Sequence, residues 1–299
     1  MTKIALIAAA NAGHFPLLLD LIRSAHDQAP AGVIGETVDL CVLDLGLTDA
    51  QRDALAPLVN TIVEPGWDID CPDRADLPGW FRAMTARPFL PRHFPGYAVY
   101  LWLDADTWIQ EWSAVELLIE AATKYGFAIV PEIDRSYGTL FGLGSAGNNA
   151  KECNELAFGP EVGAKLSSLP LLNSGVLGIH AQSPIWARWQ TILTDALQRT
   201  QHKLIEQAAL NLAVYQGGIG VHYLPAICNW LAVLGPPRID RTTGRIVEPY
   251  LPHTPIGILH LTALTDTPLD TFTTDGMNVT VSLRYTDREA LTALKTPQD

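Results

Sequence analysis

Two carboxylates follow an apolar run near the middle of the chain. Asp104 and Asp106 come directly after residues 99–103, Val-Tyr-Leu-Trp-Leu, and are separated by Ala105. In an extended backbone, residues i and i+2 point to the same side, so both carboxylates can face one ion. Two such oxygens suit a hard divalent cation that keeps open positions for substrate phosphates. The pattern predicts a metal site at a strand end, and the alternative is a strand end whose acids simply meet water.

Further polar or small residues could belong to the same site. Arg87 lies shortly before the two acids, where an arginine either reaches a bound anion or joins a solvated face. Gly175, inside an apolar strand pattern, predicts close approach of another backbone or of a ligand. Gln207 and Asn211 are four residues apart on one helix face, which predicts either a solvated edge or the polar wall of a pocket. His260 stands in an apolar strand, where a histidine is usually a hydrogen-bonded core residue.

Apolar periodicity predicts strands that alternate with helices. Strands are expected at 3–10, 37–45, 61–63, 99–103, 127–130, 170–180 and 256–261, and helices at 15–26, 48–58, 80–88, 111–125, 184–200 and 203–216. This alternation predicts an α/β fold with a parallel sheet and right-handed crossovers. Residues 131–160 are interpreted as a long loop-like insert. Their Gly142-Leu-Gly-Ser-Ala-Gly147 segment follows no strand directly, so it indicates a flexible loop near the site instead of a dinucleotide fingerprint.

The composition is that of a globular protein, with 48% hydrophobic residues in a chain of 299. The net charge is −12 and no run of Lys or Arg occurs, which argues against a nucleic-acid or anionic-membrane partner. The four cysteines form no Cys-x-x-Cys pair, which indicates reduced thiols and a cytoplasmic protein. The apolar segment 3–10 is interpreted as a first strand and not as a signal peptide. No run approaches the ~20 apolar residues of a transmembrane segment.

Five short motifs occur in an order that resembles glycosyltransferase family 8. They are Asp104-Ala-Asp106, Asn173-Ser-Gly175, Glu206-Gln207 with Asn211, Asn229-Trp230 and a late strand with His260, over about residues 3–262. The resemblance implies the GT-A fold, a Rossmann-like, mostly parallel sheet flanked by helices. It implies a single large domain, 1–299, with residues 1–107 as the nucleotide-binding half and 108–299 as the acceptor and catalytic half. The implied activity is metal-dependent transfer of a sugar from a nucleotide-diphosphate sugar, expected to be a UDP-hexose, with retention of configuration.

The resemblance also assigns residues to roles. Asp104, Asp106 and His260 match the ligands of Mn²⁺ or Mg²⁺. Donor binding is implied for Ala10, Asn11, Arg87, Asp104, Ala105 and Asp106. Asn173 would line the sugar pocket, and Glu206 and Gln207 would stand beside the anomeric carbon, as catalytic residues. The acceptor, which could be a saccharide, a lipid-linked molecule or a protein, would meet the variable loops 131–160 and 235–255.

Three positions depart from the family pattern. Ala9-Ala10-Asn11 stands where the family usually has aspartates that read uracil, so the base is open. Glu206 replaces a more common aspartate. Residues 261–266, Leu-Thr-Ala-Leu-Thr-Asp, lack the glycine and lysine that often hold the diphosphate, which predicts a different phosphate contact or weaker donor binding.

Two other functions are compatible with the motifs. An apolar strand followed by Asp-x-Asp also opens haloacid-dehalogenase-like phosphatases, in which Asp104 would be the nucleophile and Asp106 the acid and base. The expected threonine comes one place early, at Thr107, and no convincing acidic pair follows. The third interpretation is a sugar-nucleotide binder without turnover, given the missing lysine and base-reading acids.

Overall fold

The computed structural model describes residues 3–138 and 146–294. The α-helices are α1 (Phe15–Gln28), α2 (Val33–Glu36), α3 (Asp49–Leu55), α4 (Phe81–Ala86), α5 (Leu90–His93), α6 (Trp112–Tyr125), α7 (Ala146–Phe158), α8 (Pro160–Ser167), α9 (Ile185–Leu197), α10 (Ile205–Tyr215) and α11 (Arg288–Ala293). The strands are β1 (Ile4–Ala10), β2 (Val38–Asp44), β3 (Thr61–Val63), β4 (Val99–Leu103), β5 (Thr107–Ile109), β6 (Phe127–Pro131), β7 (Leu172–His180), β8 (His222–Tyr223), β9 (Trp230–Leu231), β10 (Arg238–Asp240), β11 (Arg245–Val247), β12 (Ile258–His260), β13 (Leu269–Phe272) and β14 (Asn278–Val281). Single 3₁₀ turns cover Arg74–Asp76, Arg87–Phe89, Ala226–Cys228, Thr262–Leu264 and Tyr285–Asp287.

The central sheet has seven strands in the order β3-β2-β1-β4-β7-β6-β8. Its pairs are parallel except those of β7, which runs antiparallel to both β4 and β6. The predicted α/β class with a mostly parallel sheet is confirmed. A wholly parallel sheet is wrong for β7, because the helical connection after β6 returns the chain in the opposite direction. The strand order reverses between β1 and β4, and in such sheets ligands bind at the carboxyl ends of those strands.

Both faces of the central sheet are buried. Alternate residues of β1 point to opposite sides, so Ile4 and Leu6 join one apolar cluster with α1 and α6, and Ala5 and Ile7 join the other. The second cluster contains the two tryptophans of α9, Trp186 and Trp189, among other residues. Burial on both faces explains why the strands read as continuous apolar runs.

A second, three-stranded sheet has the order β5-β12-β9. β5 starts at Thr107, directly after the two acids, and pairs antiparallel with β12 so that Thr107 lies opposite His260. The Leu261 amide N–H also donates to the Asp106 carbonyl, at 2.9 Å. Apolar periodicity does not predict this pairing. It places β12, the late strand that contains His260, beside the end of β4.

Several predicted boundaries need correction. The insert 131–160 is not a long loop, because α7 occupies residues 146–158. Residues 139–145, which hold most of the predicted glycine loop, lie outside the described residues. The helix expected to end near 58 ends at Leu55, and Thr48 caps it through a reciprocal capping box with Gln51. Strand β7 continues through Asn173 and Gly175, with a register shift against β6.

No helix within residues 3–138 and 146–294 is long and apolar enough to cross a membrane.

Candidate active site

One cavity of about 690 Å³ lies at the carboxyl ends of β1, β2 and β4. Ten of the residues that the sequence nominated line it, whereas Gly175 and Asn211 do not; the ten are Ala10, Asn11, Arg87, Asp104, Ala105, Asp106, Asn173, Glu206, Gln207 and His260. They come from both ends of the chain and from the strands and helices between, so their convergence is a property of the fold. Their individual roles stay predictions.

The two acids meet through a turn and not through an extended backbone. β4 ends at Leu103, and the Thr107 amide N–H donates to the Asp104 carbonyl at 3.0 Å, which closes a tight turn over Asp104, Ala105 and Asp106. The expectation that the i, i+2 alternation of a strand aligns the carboxylates is therefore wrong. The turn brings them to the same side instead, at the point where β5 begins.

Asp104, Asp106 and His260 form a group that could hold a metal ion. Each offers one ligand atom, and these atoms all lie within 4.8 Å of one another. The Nε2 atom of His260 is 3.3 Å from Oδ1 of Asp106. Asp104 keeps Oδ2 for this cluster, because its Oδ1 accepts hydrogen bonds from Trp102 Nε1, at 2.8 Å, and from Arg87.

Gly175 lies against the same cluster, and the close approach there is made by side chains and not by another backbone as the sequence suggested. A Cβ atom at this position would lie 2.5 Å from His260 Cε1 and 2.8 Å from Asp104 Oδ2. Contacts this short are excluded, so only glycine lets the imidazole and the carboxylate converge. Two carboxylate oxygens and one imidazole nitrogen are a donor set that Mn²⁺ accepts and that Mg²⁺ accepts with poorer match. The residues present therefore fit a divalent cation.

The three side chains of the cluster shift one another's pKa values. Burial lowers the pKa of His260, but the nearby charge of Asp106 outweighs it, so the net pKa lies above its usual value. Burial raises the pKa of Asp106, but the charge of His260 and its hydrogen bond bring the net value below the usual one. Burial raises the pKa of Asp104 in spite of Arg87. Two acids and one base leave an excess of negative charge that a cation would offset.

Arg87 is a buried bridge between two carboxylates. Its Nη1 atom donates to Glu206 Oε2 at 2.7 Å and to Ser174 Oγ at 3.0 Å, and its Nη2 atom donates to Asp104. The guanidinium lies over the Trp102 ring, with 4.5 Å from Cζ to the ring centroid. The side chain is only 12% exposed, so the solvated-face alternative is wrong for Arg87. Contact with a donor phosphate stays a prediction.

Glu206 is a buried carboxyl with one unused oxygen. Its Oε1 atom and the Nε atom of Arg87 are buried without a hydrogen-bond partner among the described residues. Burial raises the pKa of Glu206 to about 7, against the lowering effect of Arg87. Unpaired buried polar atoms are unfavourable, and in a site they indicate partners that a ligand or water supplies.

The polar face of α10 forms a wall of the cavity and not a solvated edge. Gln207 Oε1 accepts from the Ser174 amide N–H at 2.9 Å. The Asn211 side chain pairs with both backbone groups of Leu172, at 2.8 and 2.9 Å. These bonds attach the first residues of β7 to α10 and fix where Gln207 stands.

Sequence reasoning missed several lining residues, among them His14, Trp80, Glu132, Lys203 and Thr262. Glu132 follows the apolar strand β6 just as Asp104 follows β4, so the same signal could have found it. Glu132 accepts from Asn173 Nδ2 at 2.8 Å. The others carry no local signal.

The opposite end of the cavity is lined mainly by apolar residues such as Leu45 and Met84, and among the residues that the structure describes no carboxylate near β2 lines it. Asp44, at the end of β2, accepts from the amides of Gly46 and Leu47 and from Arg52. Asn11 Oδ1 accepts from the His14 amide N–H at 3.0 Å.

Comparison with known proteins shows which solved structures share this fold. No protein-family model matches the sequence. No curated protein matches it either. The galactosyltransferase LgtC, solved with donor and acceptor sugar analogs, is similar over 99% of this chain and 97% of its own, with TM-score 0.55 and 16% identity. An active-site mutant of LgtC is similar over 86% of both chains, with TM-score 0.52 and 17% identity.

The bifunctional glycosyltransferase WbbM is similar as well. Its apo structure matches over 99% of this chain, with TM-score 0.56 and 15% identity. The match covers 50% of the WbbM chain, so this chain spans about half its length. The GT-A fold implied by the sequence motifs is thus confirmed: the chain has the α/β fold that LgtC and WbbM share.

Proposed function

We propose that this protein is a metal-dependent glycosyltransferase that moves a sugar from a nucleotide-diphosphate sugar, expected to be a UDP-hexose, to an acceptor. The observation that carries the proposal is the cavity at the point where the strand order reverses. It holds Asp104, Asp106 and His260 beside the bridge of Arg87 and Glu206. LgtC is a galactosyltransferase and WbbM a bifunctional glycosyltransferase, which supports the same class of activity.

The cation in the proposal is Mn²⁺ or Mg²⁺, held by Asp104, Asp106 and His260. Bound there, it would act as a Lewis acid toward the charge that develops on the departing diphosphate. The protein itself is acidic, with a net charge of −12, so a phosphate-bearing donor needs positive charge at the site. The cationic group nearest the acids, Arg87, is already neutralised by two carboxylates.

The protein's own residues would bind and orient the sugar. Gln207 Oε1 accepts from the Ser174 amide N–H at 2.9 Å, and the Ser174 hydroxyl can donate to Glu206 instead, which would leave one lone pair of this oxygen to stabilise positive charge at the anomeric carbon. Glu206 and Arg87 present unused polar atoms that sugar hydroxyl groups could satisfy after a small side-chain movement. Transfer with retention of configuration remains part of the proposal.

The phosphatase alternative has less support. In Asp104, Oδ1 is held by Trp102 and Arg87, and the remaining oxygen belongs to the group formed with Asp106 and His260, where a cation and not a phosphorus atom would meet it. The cation beside Asp104 is Arg87, and Arg87 is also paired with Glu206. A sugar-nucleotide binder without turnover would be stabilised by the donor and would release no nucleoside diphosphate. The acceptor, whether saccharide, lipid-linked molecule or protein, and the cytoplasmic location stay open parts of the proposal.

A panel of sugar nucleotides tests the function directly. Unfolding temperature is measured for each donor with Mn²⁺ and with EDTA, since a ligand of the folded state stabilises it by RT ln(1 + [L]/Kd). The donor that stabilises only with Mn²⁺ is then assayed for release of nucleoside diphosphate, with p-nitrophenyl phosphate in parallel. We expect metal-dependent stabilisation and slow donor hydrolysis. Hydrolysis of p-nitrophenyl phosphate alone would favour the phosphatase, and stabilisation without turnover would favour the binder.

A further inference from the structure

We propose that Asn229 is a positioning residue that holds His260 in the tautomer protonated at Nδ1 and so leaves Nε2 as the metal-binding atom. The inference deepens the proposed function and rests on it for the purpose of the cation. It follows from a chain of hydrogen bonds through Asn173 and Asn229 in which each step fixes the next.

The orientation of the Asn173 amide is the first step. The Gly175 backbone N–H donates to Asn173 Oδ1 at 2.9 Å, and Asn173 Nδ2 donates to Glu132 Oε1 at 2.8 Å. A backbone N–H can only donate, so the side-chain atom facing it must be the amide oxygen. The carboxylate on the other side requires a donor, and the amide nitrogen is in place to supply it.

The orientation of the Asn173 amide fixes that of the Asn229 amide. Its Nδ2 atom donates to Asn173 Oδ1 at 2.9 Å, and its Oδ1 atom lies 2.9 Å from Nδ1 of His260. The reverse orientation would set two amide oxygens against each other at hydrogen-bond distance. An amide oxygen can only accept, so the Nδ1 atom of His260 must carry a hydrogen.

The other imidazole nitrogen then faces the acids. Nε2 of His260 lies 3.3 Å from Asp106 Oδ1, and the ring edge at Cε1 packs over Gly175. In a neutral ring protonated at Nδ1, the lone pair of Nε2 points toward this carboxylate. That contact is unfavourable unless a cation lies between the two atoms, either a metal ion or, in the metal-free protein, the proton of an imidazolium that hydrogen-bonds Asp106. Histidine ligands of metals typically hold their second nitrogen in this way, by donating to an oxygen.

Asn229 is fixed well enough to act as such a support. It is 1% exposed, and its backbone N–H donates to the Ala226 carbonyl at 2.9 Å, closing the 3₁₀ turn before β9. β9 begins at the next residue and pairs parallel with β12, where His260 ends the strand. Asn229 does not line the cavity, so it would act through His260 and not on the donor.

The tautomer can be measured without any variant. Long-range ¹H–¹⁵N spectra of ¹⁵N-histidine-labelled, metal-free protein at alkaline pH distinguish a protonated from a bare ring nitrogen. His260→Gln identifies the signals of His260 among the eight histidines. We expect the neutral ring of His260 to be protonated at Nδ1. A neutral ring protonated at Nε2 would overturn the inference.

Substitution of Asn229 separates positioning from structure. Asn229→Leu removes the acceptor, so we expect the Nε2-protonated tautomer to appear and the Kd for Mn²⁺ alone to rise about 10- to 100-fold. Asn229→Asp retains an oxygen facing Nδ1, so we expect the native tautomer even though a new buried charge lowers the unfolding temperature. A merely structural role predicts no change of tautomer in either folded variant, and that result would also overturn the inference.

A matched control is Asn211→Leu. Asn211 is a buried asparagine whose amide bonds the backbone of Leu172 and Gln207 and not a histidine. We expect lower stability in this variant but the native tautomer of His260. A tautomer change equal to that in Asn229→Leu would contradict the assigned path.

The probes are Mn²⁺ and a ring nitrogen, so this test does not depend on glycosyl transfer. A protein that showed the expected tautomer and Mn²⁺ affinities but no donor binding would keep the role of Asn229 and remove the proposed activity. An active transferase with an Nε2-protonated His260 would keep the proposed activity and remove the role of Asn229.

Discussion

Nε2 of His260 lies 3.3 Å from Oδ1 of Asp106, although about 150 residues separate them in the sequence. The cause is the second sheet. β5 starts one residue after Asp106 and pairs with β12, which sets His260 opposite Thr107. The candidate metal site therefore depends on a strand pairing that lies outside the central sheet.

Gly175→Ala should disable metal binding. The new Cβ would lie 2.5 Å from His260 Cε1 and 2.8 Å from Asp104 Oδ2, so the two ligands would have to separate. We expect the Kd for Mn²⁺ to rise at least about tenfold, measured by calorimetry.

Gly178→Ala is the control for that variant, because Gly178 lies on the same strand. Its Cβ would meet Leu101 Cδ2 and the Leu118 carbonyl, each at 3.0 Å, and no ligand residue. It should lower stability and leave Mn²⁺ affinity unchanged. Equal metal affinity in Gly175→Ala and wild type would show that the close approach is not needed.

Arg87→Met should destabilise the fold strongly. The substitution leaves the buried Glu206 carboxylate and the half-buried Asp104 carboxylate without their cation, and breaking a buried ion pair typically costs about 3–5 kcal/mol. We expect a loss of this size in the free energy of unfolding, measured with urea. Adding Glu206→Gln should recover part of it, since the double variant buries one charge fewer.

Arg74→Met is the comparison for Arg87→Met. Arg74 pairs with Asp70 and both side chains are largely exposed, so its loss should cost no more than about 1 kcal/mol. A similar small cost for Arg87→Met would mean that the bridge contributes little.

Glu206 should make stability fall with rising pH. Burial raises its pKa from 4.5 to about 7, so between these values the folded state retains a proton that the unfolded state has lost. The contribution of this proton is fully present below pH 4.5 and is lost as the pH rises through about 7. We expect wild type to lose up to about 3 kcal/mol relative to Glu206→Gln across this window. Parallel stability curves for the two proteins would refute the raised pKa.

Gln207→Ala should reduce turnover more than donor binding. The Gln207 carbonyl is proposed to face developing positive charge, an interaction that strengthens in the transition state. We expect kcat to fall about 10²-fold, the size found for single preorganised groups, with donor Kd nearly unchanged. NMR of the product should show the donor's anomeric configuration retained. An inverted product would exclude the proposed stereochemistry even if transfer occurred.

The local sequence pattern is sufficient for most of the central sheet, and together with the family resemblance it nominates ten of the cavity residues. Apolar runs predicted β1, β2 and β4, because strands buried on both faces leave an unambiguous pattern. Asp104, Asp106 and Gln207 stand out by residue type and spacing, the resemblance adds others such as Asn173, and the fold brings them into one cavity.

The remaining features depend on long-range pairing or on weak local patterns. Helix α7 was interpreted as loop because its buried residues, Cys153, Asn154 and Ala157, are small or polar and give no apolar stripe. The antiparallel direction of β7 and the β5–β12 pair depend on contacts between distant segments. The role inferred for Asn229 depends on hydrogen-bond partners that no periodicity encodes.

The most direct test of the metal site is Mn²⁺ titration of wild type, Asp106→Asn and His260→Gln, with and without nucleoside diphosphate. We expect wild type to bind Mn²⁺ more tightly with nucleotide, and both variants to lose at least about tenfold in Mn²⁺ affinity while unfolding cooperatively without ligand. If His260→Gln binds Mn²⁺ and nucleotide as wild type does and is only less stable, His260 is a core residue and the three-ligand site is wrong.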